Sequence, residues 1–187
     1  MRVVCLVGFM GSGKTTVGQL LARQLAWRFD DLDARIEESS SLSIPEIFER
    51  FGEPSFRQIE SQQLDAALGR AAESREPVVL ALGGGTYAQP GMPDRLRTAG
   101  AVVIWLDCSL ELLLSRCAIV SNRPLFRDEA SFRQLLESRL PSYQQADHRV
   151  GGDIEPGHVV ERILALPPFA DRLPGFAEQF SSRRVEP

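Results

Sequence analysis

Lysine is almost absent from this chain: among 187 residues Lys14 is the only one, and the other strong bases are all arginines. A guanidinium fork suits bidentate anion recognition, but GC-rich codon usage produces the same bias, so composition leaves both readings open. Cysteine is scarce too. Cys5, Cys108 and Cys117 are odd in number and form no C-x-x-C pair, which argues against a disulfide framework and a zinc site. Cys5 in the first predicted strand and Cys108 after the fourth read as buried small apolar residues, and Cys117 beside Arg116 as an ordinary helix thiol. No window approaches the about 20 apolar residues of a membrane span, and no basic segment precedes a long apolar stretch at the N-terminus. A cytoplasmic chain without a membrane partner is expected. A basic surplus is missing as well: 21 Lys and Arg face 25 Asp and Glu, and the net charge of -4 argues against a nucleic-acid partner. No internal repeat is visible, and the length suits one domain with a sizeable core.

What is present is a phosphate-binding loop. Residues 8–15 read GFMGSGKT, a full match to G-x-x-x-x-G-K-[ST]. The apolar β-branched run at 2–7 predicts a buried parallel strand before it, and Val17, Leu20 and Leu21 at helical spacing predict a helix after it. In that context the backbone N–H groups of Gly11, Ser12, Gly13, Lys14, Thr15 and Thr16 form an anion cradle at a helix N-terminus. Lys14 reaches the β- and γ-phosphates of a nucleotide, and the Thr15 hydroxyl ligates Mg²⁺.

Four more strands are predicted, near 28–30, 77–82, 101–106 and 148–150, separated by helical patterns. That alternation predicts a parallel α/β sheet covered on both faces, whose ligands bind beyond the carboxyl ends of the strands. Residues 34–68 hold two amphipathic helices split around Phe51-Gly52-Glu53-Pro54, an insertion suited to binding an acceptor. Residues 119–130 are polar and basic with a central proline and read as a lid loop over the site. Residues 1–166 form the domain, and 167–187 read as a tail with a helix fragment or disorder and no chemistry.

Two further groups of residues follow strands. Asp31 and Asp33 point the same way if the chain stays extended, one carboxylate then holding a metal and the other accepting from a hydroxyl nucleophile. Capping of a helix starting at Ala34 explains them equally well. Gly83, Gly84 and Gly85 end an apolar strand, where bare backbone is needed either for N–H donation to a ligand or for a tight turn. The basic residues Arg57, Arg116, Arg123 and Arg139 lie in four segments, and spacing alone does not bring them together.

The stretches GFMGSGKTTVGQLLARQL, FDDLDARIE, SIPEIFERFGEPSFRQIE, LALGGGT, NRPLF and SRLPSYQQAD, in this order from Leu6 to about Val150, resemble a shikimate kinase of the nucleoside monophosphate kinase group. The resemblance implies a three-layer P-loop kinase fold with a five-stranded parallel sheet, and ATP-dependent phosphorylation of the shikimate 3-hydroxyl with ATP and Mg²⁺. It implies that Arg57 and Arg139 take the acceptor carboxylate, that Asp33 takes ring hydroxyls, and that Gly83 to Gly85 line the acceptor with Phe48 and Phe56. By the same resemblance Lys14, Thr15 and Asp31 serve phosphate and magnesium, Arg123 closes over the transferring phosphoryl group, Arg116 packs on adenine, and Pro156 lies in the adenine loop. A monomer is expected. Where this family has glycine the chain has Ser41, in a turn whose backbone the change could alter. The alternatives are a kinase of another small polyol acid such as gluconate, which has no need of the Arg57, triglycine and Arg139 set, and a ligand-sensing module without turnover.

Overall fold

The computed structural model describes residues 2–74, 76–118 and 129–170. Its centre is a five-stranded, all-parallel sheet of β1 (Val3–Val7), β2 (Arg28–Asp31), β3 (Val78–Ala81), β4 (Ala101–Asp107) and β5 (His148–Gly151), in the order β2-β3-β1-β4-β5. Val3 pairs with Val78 on one side and Ala101 on the other, which makes β1 the central strand. A central parallel strand is buried on both faces, so it reads as a continuous apolar run. All five predicted strands are present, each within a residue or two of its expected limits.

Alternate β1 side chains serve two cores. Val4 and Leu6 face α1 (Lys14–Leu25) and α7 (Pro156–Leu164), against Val17, Leu21, Val160 and Ile163. Val3, Cys5 and Val7 face the opposite layer, formed by α2 (Leu32–Ser40), α3 (Ile44–Ser74), α4 (Met92–Thr98), α5 (Leu110–Ala118) and α6 (Glu129–Tyr143). The three layers predicted from sequence are therefore observed.

Three boundaries differ from expectation. The insertion helix breaks where predicted, at Gly52, whose φ of 75° and ψ of 173° no helix accommodates, but α3 then runs on to Ser74 rather than ending at 68. An apolar stripe of Leu64, Ala67 and Ala71 keeps that last part packed on the sheet. Glu129 and Ala130, expected in the lid loop, already belong to α6. The tail begins with a short helix, α8 (Pro167–Ala170), and its Phe169 is fully buried beside Trp27, with ring centroids 6.5 Å apart. The core thus extends past the expected boundary at Leu166, because Phe169 adds a fully buried ring to it and the Phe169 and Ala170 N–H groups both donate to Leu166 O.

Candidate active site

β1 delivers the chain to the phosphate loop, and α1 begins at Lys14 with Gly13 in the left-handed region at φ 88° and ψ 16°. Lys14 Nζ donates to Gly8 O and Phe9 O, both at 2.9 Å, and to Ser12 Oγ at 3.4 Å. The only lysine of the chain therefore lies along the inside of its own loop, where an incoming phosphate meets its charge.

Asp31 has the capping role that the sequence offered as one alternative, and its second carboxylate oxygen meets Thr15. Its Oδ1 accepts from the N–H groups of Asp33 at 3.0 Å and Ala34 at 3.4 Å, which caps α2. Its Oδ2 accepts from the Thr15 hydroxyl at 2.7 Å. The expectation of an extended Asp31-Leu32-Asp33 with parallel carboxylates is corrected: capping starts the helix at Leu32, so Asp33 sits in its first turn. Asp33 nonetheless faces the triglycine segment, its Oδ1 lying 2.7 Å from where a Cβ on Gly83 would stand.

None of Gly83, Gly84 and Gly85 has a positive φ, so backbone conformation does not demand glycine there. Space does. A Cβ on Gly83 would also lie 2.8 Å from Thr86 Oγ1, and one on Gly85 would lie 3.1 Å from both Arg139 Nη2 and Arg57 Nη2. The two arginines, from α3 and α6, thus converge on one bare Cα. Each guanidinium lies over an aromatic face, Arg57 over Phe56 at 5.0 Å and Arg139 over Phe9 at 5.3 Å. Arg57 also pairs with Glu60 at 2.9 Å and Glu53 at 3.0 Å. Burial works against its charge, yet the bonds and charges of Glu60 and then Glu53 outweigh it and raise the pKa above the ordinary arginine value. Phe48 packs on Phe56 with centroids 4.6 Å apart, on the same side of the site.

Glu60 has no role in the sequence reading. Its side chain is 2% exposed and accepts from Arg57, from Thr86 Oγ1 at 2.5 Å and from Gln89. A signal existed: a lone carboxylate within the apolar stripe of Phe56, Leu64, Ala67 and Ala71 needs partners, since a buried charge is retained only when paired.

On the other side of the phosphate loop lies a cavity of about 250 Å³, lined by Ser12, Gly13, Thr16, Val17, Arg116, Gly152, Ile154, Pro156 and Val159. Arg116 Nη1 donates to Gly11 O at 3.1 Å, so Arg116 joins the cavity side of the phosphate loop and stands apart from the Arg57–Arg139 pair. Pro156 opens α7, whose cap Glu155 accepts from Gly157 N–H. Cys108 departs from the expected core filler. It is half-buried, its Sγ lies 3.7 Å from Ser12 O, and a Cβ on Gly152 would stand 2.5 Å from it. Burial and then Asp153 push this thiol up to about 11, with Arg116 opposing. Arg123 and residues 119–128 lie outside the described residues. Among the described residues, no group of three His, Cys, Asp or Glu side chains is placed to hold a metal, and no helix is long and apolar enough to cross a membrane.

The family model for shikimate kinase matches residues 10–166. A shikimate kinase of Synechococcus sp. (strain CC9605) is 44% identical over 190 aligned residues, covering 99% of this chain and 89% of that protein. The structure of shikimate kinase from Acinetobacter baumannii in complex with shikimate superposes with a TM-score of 0.79 at 32% identity, covering 100% of this chain and 96% of that one. Shikimate kinase from Aquifex aeolicus superposes with a TM-score of 0.77 at 36% identity, covering 87% of this chain and 94% of that one.

Proposed function

This chain belongs to the shikimate kinase family, and from that premise we propose that it transfers the γ-phosphoryl group of ATP to the 3-hydroxyl of shikimate. The observation that carries the acceptor assignment is the convergence of the Arg57 and Arg139 guanidiniums on Gly85, beyond the end of β3 and next to the phosphate loop. Two forked cations side by side fit one carboxylate, and a carboxylic acid acceptor supplies it. The half-buried Asp33 in the first turn of α2 then accepts from the ring hydroxyls and holds the attacking one in line.

ATP fits the opposite side: its base enters the cavity between Arg116 and Pro156, and its phosphates lie on the N–H groups of Gly11 to Thr16. Lys14 exchanges its bonds to Gly8 O and Phe9 O for phosphate oxygens. Thr15 and Asp31 present paired hard oxygens, the donor type Mg²⁺ takes when it keeps several waters and leans on substrate phosphates, so the residues fit that ion. When bound, Mg²⁺ neutralises charge developing on the phosphoryl oxygens. Phosphoryl transfer asks for positioning and charge stabilisation more than covalent help, and Lys14 with Arg123 supplies the protein's share. Arg123 takes this role from its match to the lid arginine of the family.

The test is ADP release measured with a panel of acceptors. Shikimate is expected to stimulate release strongly, gluconate not at all, and an analogue with a hydroxymethyl group in place of the carboxylate weakly. Equal stimulation by shikimate and that analogue would overturn the carboxylate assignment, and no stimulation by any acceptor would leave a sensing module.

A further inference from the structure

We propose that Tyr143 is a positioning residue for the acceptor, acting through the Gly84 carbonyl without touching the acceptor itself. The proposal rests on the acceptor placement given above. Tyr143 ends α6, is 1% exposed, and stacks on Trp105 with centroids 5.9 Å apart. Its hydroxyl donates to Gly84 O at 2.5 Å, and Arg139, one helical turn earlier, donates to the same oxygen at 3.1 Å.

Two donors on one carbonyl hold a peptide plane. The described residues have no cis peptide bond, so the Gly85 N–H points opposite to the Gly84 carbonyl, and fixing one direction fixes the other. Among the described residues neither the Gly84 nor the Gly85 N–H donates to a backbone acceptor, and both residues are partly exposed, so either N–H is open to solvent or to a ligand. Three consecutive glycines have no side chains with which to hold that plane themselves, so the pin must come from another element.

Arg139 cannot serve as a full-time pin, because its guanidinium is also half of the pair that receives the acceptor carboxylate. Tyr143 can. Its hydroxyl is shut away from water, and burial, with Arg139 opposing, pushes its pKa up to about 12, so it remains a protonated donor throughout the working pH range. When Arg139 turns toward a carboxylate, the tyrosine keeps the Gly84 carbonyl in place.

The experiment is Tyr143→Phe, which keeps the ring and removes the bond, compared with Trp105→Phe, which trims the stacking partner and keeps the bond. Tyr143→Phe is expected to raise the shikimate KM about threefold to tenfold, the range for one neutral hydrogen bond, while leaving the ATP KM unchanged. Trp105→Phe is expected to lower the thermal midpoint and leave the shikimate KM alone. An unchanged shikimate KM in Tyr143→Phe, a parallel rise of both KM values, or the same shift in Trp105→Phe overturns the proposal. Arg139→Lys assayed alongside separates the two levels. If it too leaves the shikimate KM unchanged, the acceptor placement fails. If it raises that KM and Tyr143→Phe does not, only the role of Tyr143 fails.

Discussion

At the scale of single residues, the chain concentrates its function on side chains that have few substitutes. Lys14 is the only lysine, and its ammonium lies against Gly8 O and Phe9 O at the mouth of the loop. Lys14→Ala is expected to lower kcat by about two to three orders of magnitude, the range for removing one preorganised charge-stabilising donor, with an unfolding transition close to that of the parent chain. Steady-state rates and thermal unfolding measured together check this, and near-parental turnover contradicts it. Arg139 poses a finer question, because lysine preserves its charge but not its fork. Arg139→Lys is expected to raise the shikimate KM about tenfold to hundredfold, since losing a charge-assisted hydrogen bond costs about 1.5–3 kcal/mol. The ATP KM should hardly move, and the carboxylate-free analogue should be far less affected. Equal losses for both acceptors would mean that Arg139 shapes the segment and does not grip the carboxylate.

At the scale of elements, the joints decide more than the helices do. α2 is capped at its C-terminus by Ser41, which adopts φ 54° and ψ 28°, a left-handed conformation that glycine reaches without penalty. The backbone therefore keeps the turn implied by the family's glycine, and the serine carries its strain. Ser41 is exposed, so its side chain contributes little packing to set against that strain. Ser41→Gly is expected to stabilise the chain by about 0.5–1 kcal/mol, the left-handed strain relieved less the greater freedom glycine gains on unfolding. At this size the midpoint should rise by about 1–4 °C in a thermal melt, with kinetic constants unchanged. A lower midpoint would show that the Ser41 conformation is not strained. Asp31 is a joint of another kind, one carboxylate that both starts α2 and meets Thr15, so strand end, helix start and phosphate loop share a single side chain.

At the scale of the whole molecule, two cores clamp one sheet, and the second reaches further along the chain than pattern reading suggested. Phe169 is fully buried in the core that packs α1 against the sheet, near Trp27 and on the face away from Phe48 and Phe56. Phe169→Ala is expected to destabilise the protein by about 3 kcal/mol, the low end for emptying a buried aromatic site, while both KM values stay as they were. Denaturant titration and initial rates read the two effects separately. An unaltered unfolding midpoint would place the ring outside the cooperative core.

The amino-acid sequence alone determined the three inner strands, the strand-loop-helix at 8–15 and the helical insertion, because each is a local pattern: a buried parallel strand is apolar throughout, and a phosphate loop must have glycines at set positions, whereas the polar edge strands β2 and β5 were legible only from their place in the helix-strand alternation. Motif order alone pointed to the family. Only the tertiary structure decided which arginines meet, since Arg57 with Arg139 and Arg116 with Gly11 pair across long stretches of chain that no spacing relates. It also decided why the glycines at 83–85 are bare, which is crowding by Asp33 and Thr86 at Gly83, by the Met10 backbone at Gly84 and by Arg57 and Arg139 at Gly85, with no demand for a special φ. Glu60 and Tyr143 belong to the same class. A buried carboxylate or hydroxyl takes its meaning from the partners packed against it, and those partners exist as neighbours only once the sheet has brought β3, α3 and α6 together.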